Sequence, residues 1–184
     1  MSIGELIWIL VRATGLVAVA TATLSVVLGL LASRAPAPGT LSSGEALDRR
    51  VLRQYTHRTA GVMTLVLIGL HIVLLLVDSY VSVSITDVLV PFTAGYDRLA
   101  LGLATVATYL FVLTALSGAV RRRIAHREGA ARAWRAVHLS ALGAWVLALV
   151  HGLAAGTDTG AWWTSAVYAG SAGAVLLEIG RAHV

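Results

Sequence analysis

Apolar residues are gathered along the chain into five stretches, at about 5 to 32, 54 to 77, 98 to 120, 136 to 155 and 161 to 180. Each approaches the roughly 20 residues that a helix needs to cross a hydrocarbon core of about 30 Å, and the first and third are the cleanest. Between the first two, Ser33 to Arg53 carries Pro36, Pro38, Gly39, Ser42, Ser43 and Gly44, a composition that predicts a solvated, mobile loop. Segment 79 to 97 alternates Val81, Val83 and Ile85 with Ser82, Ser84 and Thr86 and ends near Tyr96. It is too short to span, so it is expected along the interface, as a plain connection or as a lid over the bundle. The pattern predicts an all-α membrane protein, a five-helix transmembrane bundle forming a single domain over residues 1–184.

Composition agrees with a bilayer as solvent. Hydrophobic residues make up 58% of the chain and the mean hydropathy is +0.82, above the roughly 45–50% apolar content of soluble domains. All 14 basic residues are arginine, and they mark topology. Arg34, Arg49, Arg50, Arg53 and Arg58 lie around the first connection. Arg121, Arg122, Arg123, Arg127, Arg132 and Arg135 lie around the third, and Arg181 ends the last helix. Asp78, Asp87, Asp97 and Asp158 fall at the opposite ends with Arg98, Trp162 and Trp163. Arginine retention on the cytoplasmic side puts the N-terminus outside and the C-terminus in the cytoplasm of a multi-pass cell-membrane protein. The pI near 10.4 therefore signals contact with anionic lipid, not nucleic acid. Without cysteine, the chain has no disulfide, iron–sulfur ligation, covalent haem attachment or thiolate chemistry. Glu5 and the lack of a basic leader mark the first apolar run as a retained helix.

Four of the six histidines carry the candidate chemistry. His57 and His71 stand 14 residues apart in the second predicted helix, and His138 and His151 stand 13 apart in the fourth. At 1.5 Å per residue these separations are about 21 and 19.5 Å. If both helices run in the same direction, His57 shares a level with His138 and His71 with His151. Ionisable groups inside a span are costly and mark function, and paired neutral imidazoles suit the two faces of a haem iron. The expectation is two stacked b-type haems with bis-histidine ligation. The 13-residue spacing turns the second histidine about 140° from the first, against about 40° for 14 residues, which predicts a tilt or distortion of the fourth helix. Gly61, Gly69 and Gly143 are the glycines expected to permit it. Arg12 lies within the first span and needs an anionic partner, for which a haem propionate is a candidate. His126 and His183 have no partner at matching depth and read as surface residues.

His-x13-His in one helix, a basic connection, then Trp134-Arg135-Ala136-Val137-His138 and, after 12 residues, His151-Gly152 resemble the ferric reductase-like transmembrane domain. That superfamily includes ferric reductases, the membrane parts of NADPH oxidases and the haem subunit of a methionine sulfoxide reductase system. The resemblance spans most of the chain. It implies His57 with His138 on a cytoplasmic haem, His71 with His151 on an outer haem, and Arg12 close to a haem. Two departures stand out: a further helix that many relatives carry ahead of the first is absent, and no Gly-x-Gly-x-x-Gly turn or flavin domain follows. The chain is therefore expected to depend on a cytoplasmic flavoprotein or a membrane quinol as donor and to pass single electrons to an extracytoplasmic acceptor. The alternatives are a quinone-reacting haem anchor of a larger redox complex and a non-redox membrane bundle.

Overall fold

The computed structural model describes residues 1–33, 44–124 and 129–181, and among these it contains helices and no strand. In chain order they are α1 (Ile3–Ser33), α2 (Gly44–Val77), the single-turn α3 (Ile85–Leu89), α4 (Arg98–Ile124), α5 (Ala130–Ala155) and α6 (Trp162–Gly180). Four of them, α1, α2, α4 and α5, are long and apolar enough to cross a membrane. The shorter α6 carries a buried Glu178, bonded to Arg181 at 2.8 Å, and does not reach the apolar length of the other four.

The distribution of side chains suits a lipid solvent. Large aliphatic residues such as Val17, Leu24, Val66 and Val73 face outward, whereas Ala18, Ala22, Ala60, Ala107 and Ala144 are buried between helices. Small residues let backbones approach where lipid removes the hydrophobic drive for helices to associate. Buried threonines bond to carbonyls one turn back, as Thr23 Oγ1 does to Val19 (2.8 Å) and Thr64 Oγ1 to Ala60 (2.9 Å). Packing is pairwise, with α1 along α2 and α4 along α5. Contacts between α1 and both α5 and α6 join the pairs through a core of Val19, Ala22, Val26, Trp145, Leu149, Tyr168 and Val175. By contrast α2 and α5, which carry the histidines, are not among the closely packed pairs.

The structure corrects the first connection. Residues 44–53 are helical, so α2 starts ten residues before the predicted position 54. The prolines and Gly39 end at residue 39, and Glu45, Ala46, Leu47, Arg49 and Arg50 are good helix formers. An apolar-length criterion finds where the bilayer ends, not where the helix ends. Likewise α5 begins at Ala130, ahead of 136, and α4 continues to Ile124 past the expected 120. At about 1.5 Å per residue, α2 is roughly 51 Å long and exceeds a hydrocarbon core of about 30 Å. The arginine-rich ends of α2, α4 and α5 therefore extend beyond an apolar slab, while Asp78, Asp87, Asp97 and Asp158 gather at the other end.

Segment 79–97 folds over that aspartate-bearing end. Asp78 accepts from the Tyr80 and Val81 amides at 3.0 Å, and Ser84 and Asp87 form a capping box that opens α3. These Ser84 bonds hold the Asp87 carboxyl below the usual carboxylate range. Phe92, at φ 64°, seats its ring against Gly102 of α4, where any Cβ would collide with it. Val81, Val83, Val88 and Tyr96 wall the end of the interhelical cavity, so the segment covers the bundle as well as connecting α2 to α4.

Trp145 Nε1–H donates to Thr23 Oγ1 at 2.9 Å in the buried seam between α1 and α5. A double-mutant cycle of Trp145→Phe and Thr23→Val, read by thermal unfolding in detergent, is expected to give a coupling of about 0.6–1.7 kcal/mol. Additive single effects would show that this bond does not join the two halves.

Candidate functional site

Each of the four histidines is held from the side by a neighbouring helix. His57 Nδ1 lies 2.8 Å from the Ser25 carbonyl and His71 Nδ1 lies 2.8 Å from the Val11 carbonyl, both on α1. His151 Nδ1 lies 2.9 Å from the Ala100 carbonyl, and His138 Nδ1 lies 3.0 Å from Ser117 Oγ, both on α4. A carbonyl only accepts, so Nδ1 carries the proton in His57, His71 and His151. For His138 the same tautomer follows, because Ser117 Oγ–H is already donated to the Thr114 carbonyl at 2.7 Å. Nε2 is then the unprotonated nitrogen in all four rings. None of the four Nε2 atoms has a hydrogen-bond partner among the described residues. An imidazole oriented through Nδ1–H with a free Nε2 is the usual state of a metal-binding histidine.

Glycine makes room for two of these rings, His71 and His57, while a side chain at Gly118 would meet His138 at ordinary contact distance. A Cβ on Gly15 would stand 3.1 Å from His71 Cε1, one on Gly29 3.2 Å from His57 Cε1, and one on Gly118 3.6 Å from His138 Cε1. The spacing is matched across the α1–α2 pair: Gly15 and Gly29 are 14 residues apart, as are Val11 and Ser25, and as are His71 and His57. Fourteen residues return to within about 40° of the starting face, so this seam runs nearly straight.

The α4–α5 seam accommodates the 13-residue spacing differently. α5 is one continuous helix through both histidines, with no break at Gly143. Its anchors Ser117 and Ala100 are 17 residues apart, about 100° around α4, while the two histidines are about 140° apart around α5. The seam winds around both helices, as it does between helices that cross at an angle. The glycines expected to matter lie elsewhere: Gly69 and Gly143 face open space and Gly61 faces Ser25 Oγ. The effective glycines sit on the partner helices, a placement that only the helix pairing reveals.

Across the space between α2 and α5, the His57 and His138 rings have centroids 6.1 Å apart with planes inclined at 65°. His71 and His151 line one apolar cavity toward the other end, together with Leu16, Val19, Phe111 and Trp145. The two depth-matched pairs expected from the sequence are thus brought together. Among the described residues no group of three or more His, Asp or Glu side chains gathers as a metal cluster. His126 and His183 lie outside the described residues. Arg12 also lines the cavity, and the anion it meets is Asp158, in a direct ion pair that ties α1 to the α5–α6 connection. Asp158 belongs to the aspartates read only as topology markers, and its part in this pair had no signal in the sequence.

Alanine at Gly15 or Gly29 is expected to lower thermal stability by about 1–3 kcal/mol, because the imidazole has to move. The same change at Gly69 or Gly143 is expected to be neutral or stabilising, by up to about 1 kcal/mol. Thermal midpoints in detergent check this, and equal effects at the two sets would remove the special role of Gly15 and Gly29. The sequence matches no protein-family model, no curated protein and no solved structure, so it is these residues and their geometry that carry a functional reading.

Proposed function

We propose that the protein is a dihaem b-type membrane cytochrome, in which His57 and His138 would hold one haem and His71 and His151 the other. The observation that carries this reading is the set of four imidazoles, each oriented through Nδ1–H and each with a free Nε2, paired across a space that α2 and α5 leave between them. The His57 and His138 rings, with centroids 6.1 Å apart, leave room between them for a metal that both would hold.

A haem held there would supply one-electron redox chemistry. The chain's own residues supply the rest. α1 and α4 fix the imidazoles, the apolar cavity wall excludes water, and Arg12 with Asp158 closes the end of the cavity near His71 and His151. Arg12 also serves a haem propionate in this reading, through its buried Nε, which has no hydrogen-bond partner among the described residues.

The topology that goes with this function has five spans, α6 being the fifth, with the N-terminus outside and the C-terminus in the cytoplasm of the cell membrane. The arginine-rich ends of α2, α4 and α5 support it. Electrons then enter near His57 and His138 from a cytoplasmic flavoprotein or a membrane quinol and leave near His71 and His151 to an extracytoplasmic acceptor. The resemblance to the ferric reductase-like transmembrane domain points the same way.

Alanine at any one of the four histidines is expected to remove one b haem per chain, with His57→Ala and His138→Ala removing the same spectral component. Difference spectra with haem quantification check it, and an undiminished haem content in all four variants would exclude this ligand set. The chain has no cysteine, so single introduced cysteines report topology. Leu47→Cys is expected to be shielded from impermeant maleimide in intact cells and Gly160→Cys to be labelled; the reverse would invert the orientation.

A further inference from the structure

Among the four histidines, His138 combines a hydroxyl as its nearest acceptor with an indole stacked on its ring. The other three Nδ1 atoms have a backbone carbonyl as nearest acceptor, at 2.8–2.9 Å, with the Ser25 hydroxyl also 3.3 Å from His57 and the Thr14 hydroxyl 3.5 Å from His71. For His138 the near acceptor is a side-chain hydroxyl, Ser117 Oγ at 3.0 Å, which passes a hydrogen bond to the Thr114 carbonyl at 2.7 Å, and that carbonyl lies within reach of the ring as well. Ser117 is buried and uses its own carbonyl as well, accepting the Trp134 Nε1–H at 3.0 Å. Trp134 lies one turn before His138 on α5 and stacks on the imidazole, with centroids 4.8 Å apart and planes 20° apart. The outer face of the indole is covered by Arg121, whose guanidinium carbon is 4.5 Å from the ring centroid. The plane of His138 is thus fixed by a stack of cation, indole and imidazole, and its Nδ1–H by a hydroxyl relay. A single residue of α4, Ser117, ties the two together.

We infer that Ser117 and Trp134 are positioning residues that set the ring plane and the basicity of His138, and through it the properties of the haem on the arginine-rich side. This rests on the dihaem reading. A hydrogen bond from Nδ1–H raises the electron donation of the imidazole and favours the ferric state, so loss of the acceptor lowers donation and raises the potential. The stacked indole restrains rotation about the ring's bond to the helix, a restraint of the order of an aromatic pair. The cation over the indole adds to it.

The test uses the purified full-length protein with its haems, comparing wild type with Ser117→Ala, Ser117→Thr, Trp134→Phe and Trp134→Leu. Haem content, redox titration and low-temperature electron paramagnetic resonance of the ferric state are read for each. Ser117→Ala is expected to raise the midpoint potential of one haem, the component absent from His57→Ala, and to leave the other unmoved. Ser117→Thr, which keeps the hydroxyl, is expected to restore it. Trp134→Leu is expected to broaden or shift the low-field signal of the same haem, which reports the relative orientation of the two imidazole planes, whereas Trp134→Phe keeps a stacked ring and holds the signal. Two haems in wild type with neither signal nor potential changed in Ser117→Ala and Trp134→Leu would overturn this inference and leave the dihaem reading intact. Equal shifts of both haems would overturn it too, by showing a general loosening of the bundle. Folded wild type without haem would overturn the dihaem reading and this inference with it.

Discussion

The rest of the structure depends on the hydrogen bond that each histidine makes sideways to the helix beside it. A neutral imidazole in an apolar span has two polar nitrogens to satisfy, and an unpaired polar group there is expensive. The structure satisfies only Nδ1, from α1 for the histidines of α2 and from α4 for those of α5. This one constraint decides the pairing of the helices: α1 has to lie close enough along α2 to present carbonyls at two levels, and α4 along α5. It also favours the absence of a side chain at Gly15 and Gly29, where a Cβ would press on an imidazole. What remains unsatisfied, Nε2 on each ring, is what the proposed function uses.

The two halves meet the constraint with different geometry. Spacings of 14 on both α1 and α2 make a straight seam, while spacings of 17 on α4 and 13 on α5 make a winding one. The consequence is an asymmetry between ligands. Carbonyls are the nearest acceptors of three rings. The fourth ring rests on Ser117 and Trp134, whose side chains a substitution can change. At the opposite end, Arg12 and Asp158 hold the α5–α6 connection against α1, and segment 79–97 covers the cavity.

Much of this was legible in the residues. The four long apolar helices, the two depth-matched histidine pairs and the separation of arginine from aspartate ends all follow from hydropathy and a rise of 1.5 Å per residue. The ends of helices were less legible, because Glu45, Ala46, Leu47 and Arg49 extend α2 without being apolar. The partner of Arg12 was not legible, because contacts between α1 and residue 158 depend on how the helix pairs assemble. The glycines that matter were misplaced for a related reason. Sequence reasoning looked on the helices that carry the histidines, whereas an imidazole leans on its neighbour, and the α1 spacing of Gly15 and Gly29 that mirrors His71 and His57 was the available signal.

The central claim is that the free Nε2 atoms face metal. The most direct measurement is the haem stoichiometry of the wild-type protein purified in detergent, from the pyridine haemochrome against protein by amino-acid analysis, with the reduced-minus-oxidised visible spectrum recorded on the same sample. The account predicts two b haems per chain with low-spin, six-coordinate spectra. A folded, monodisperse and colourless protein, expressed under haem-replete conditions, would contradict it and leave the histidine pairs as polar contacts within a membrane bundle.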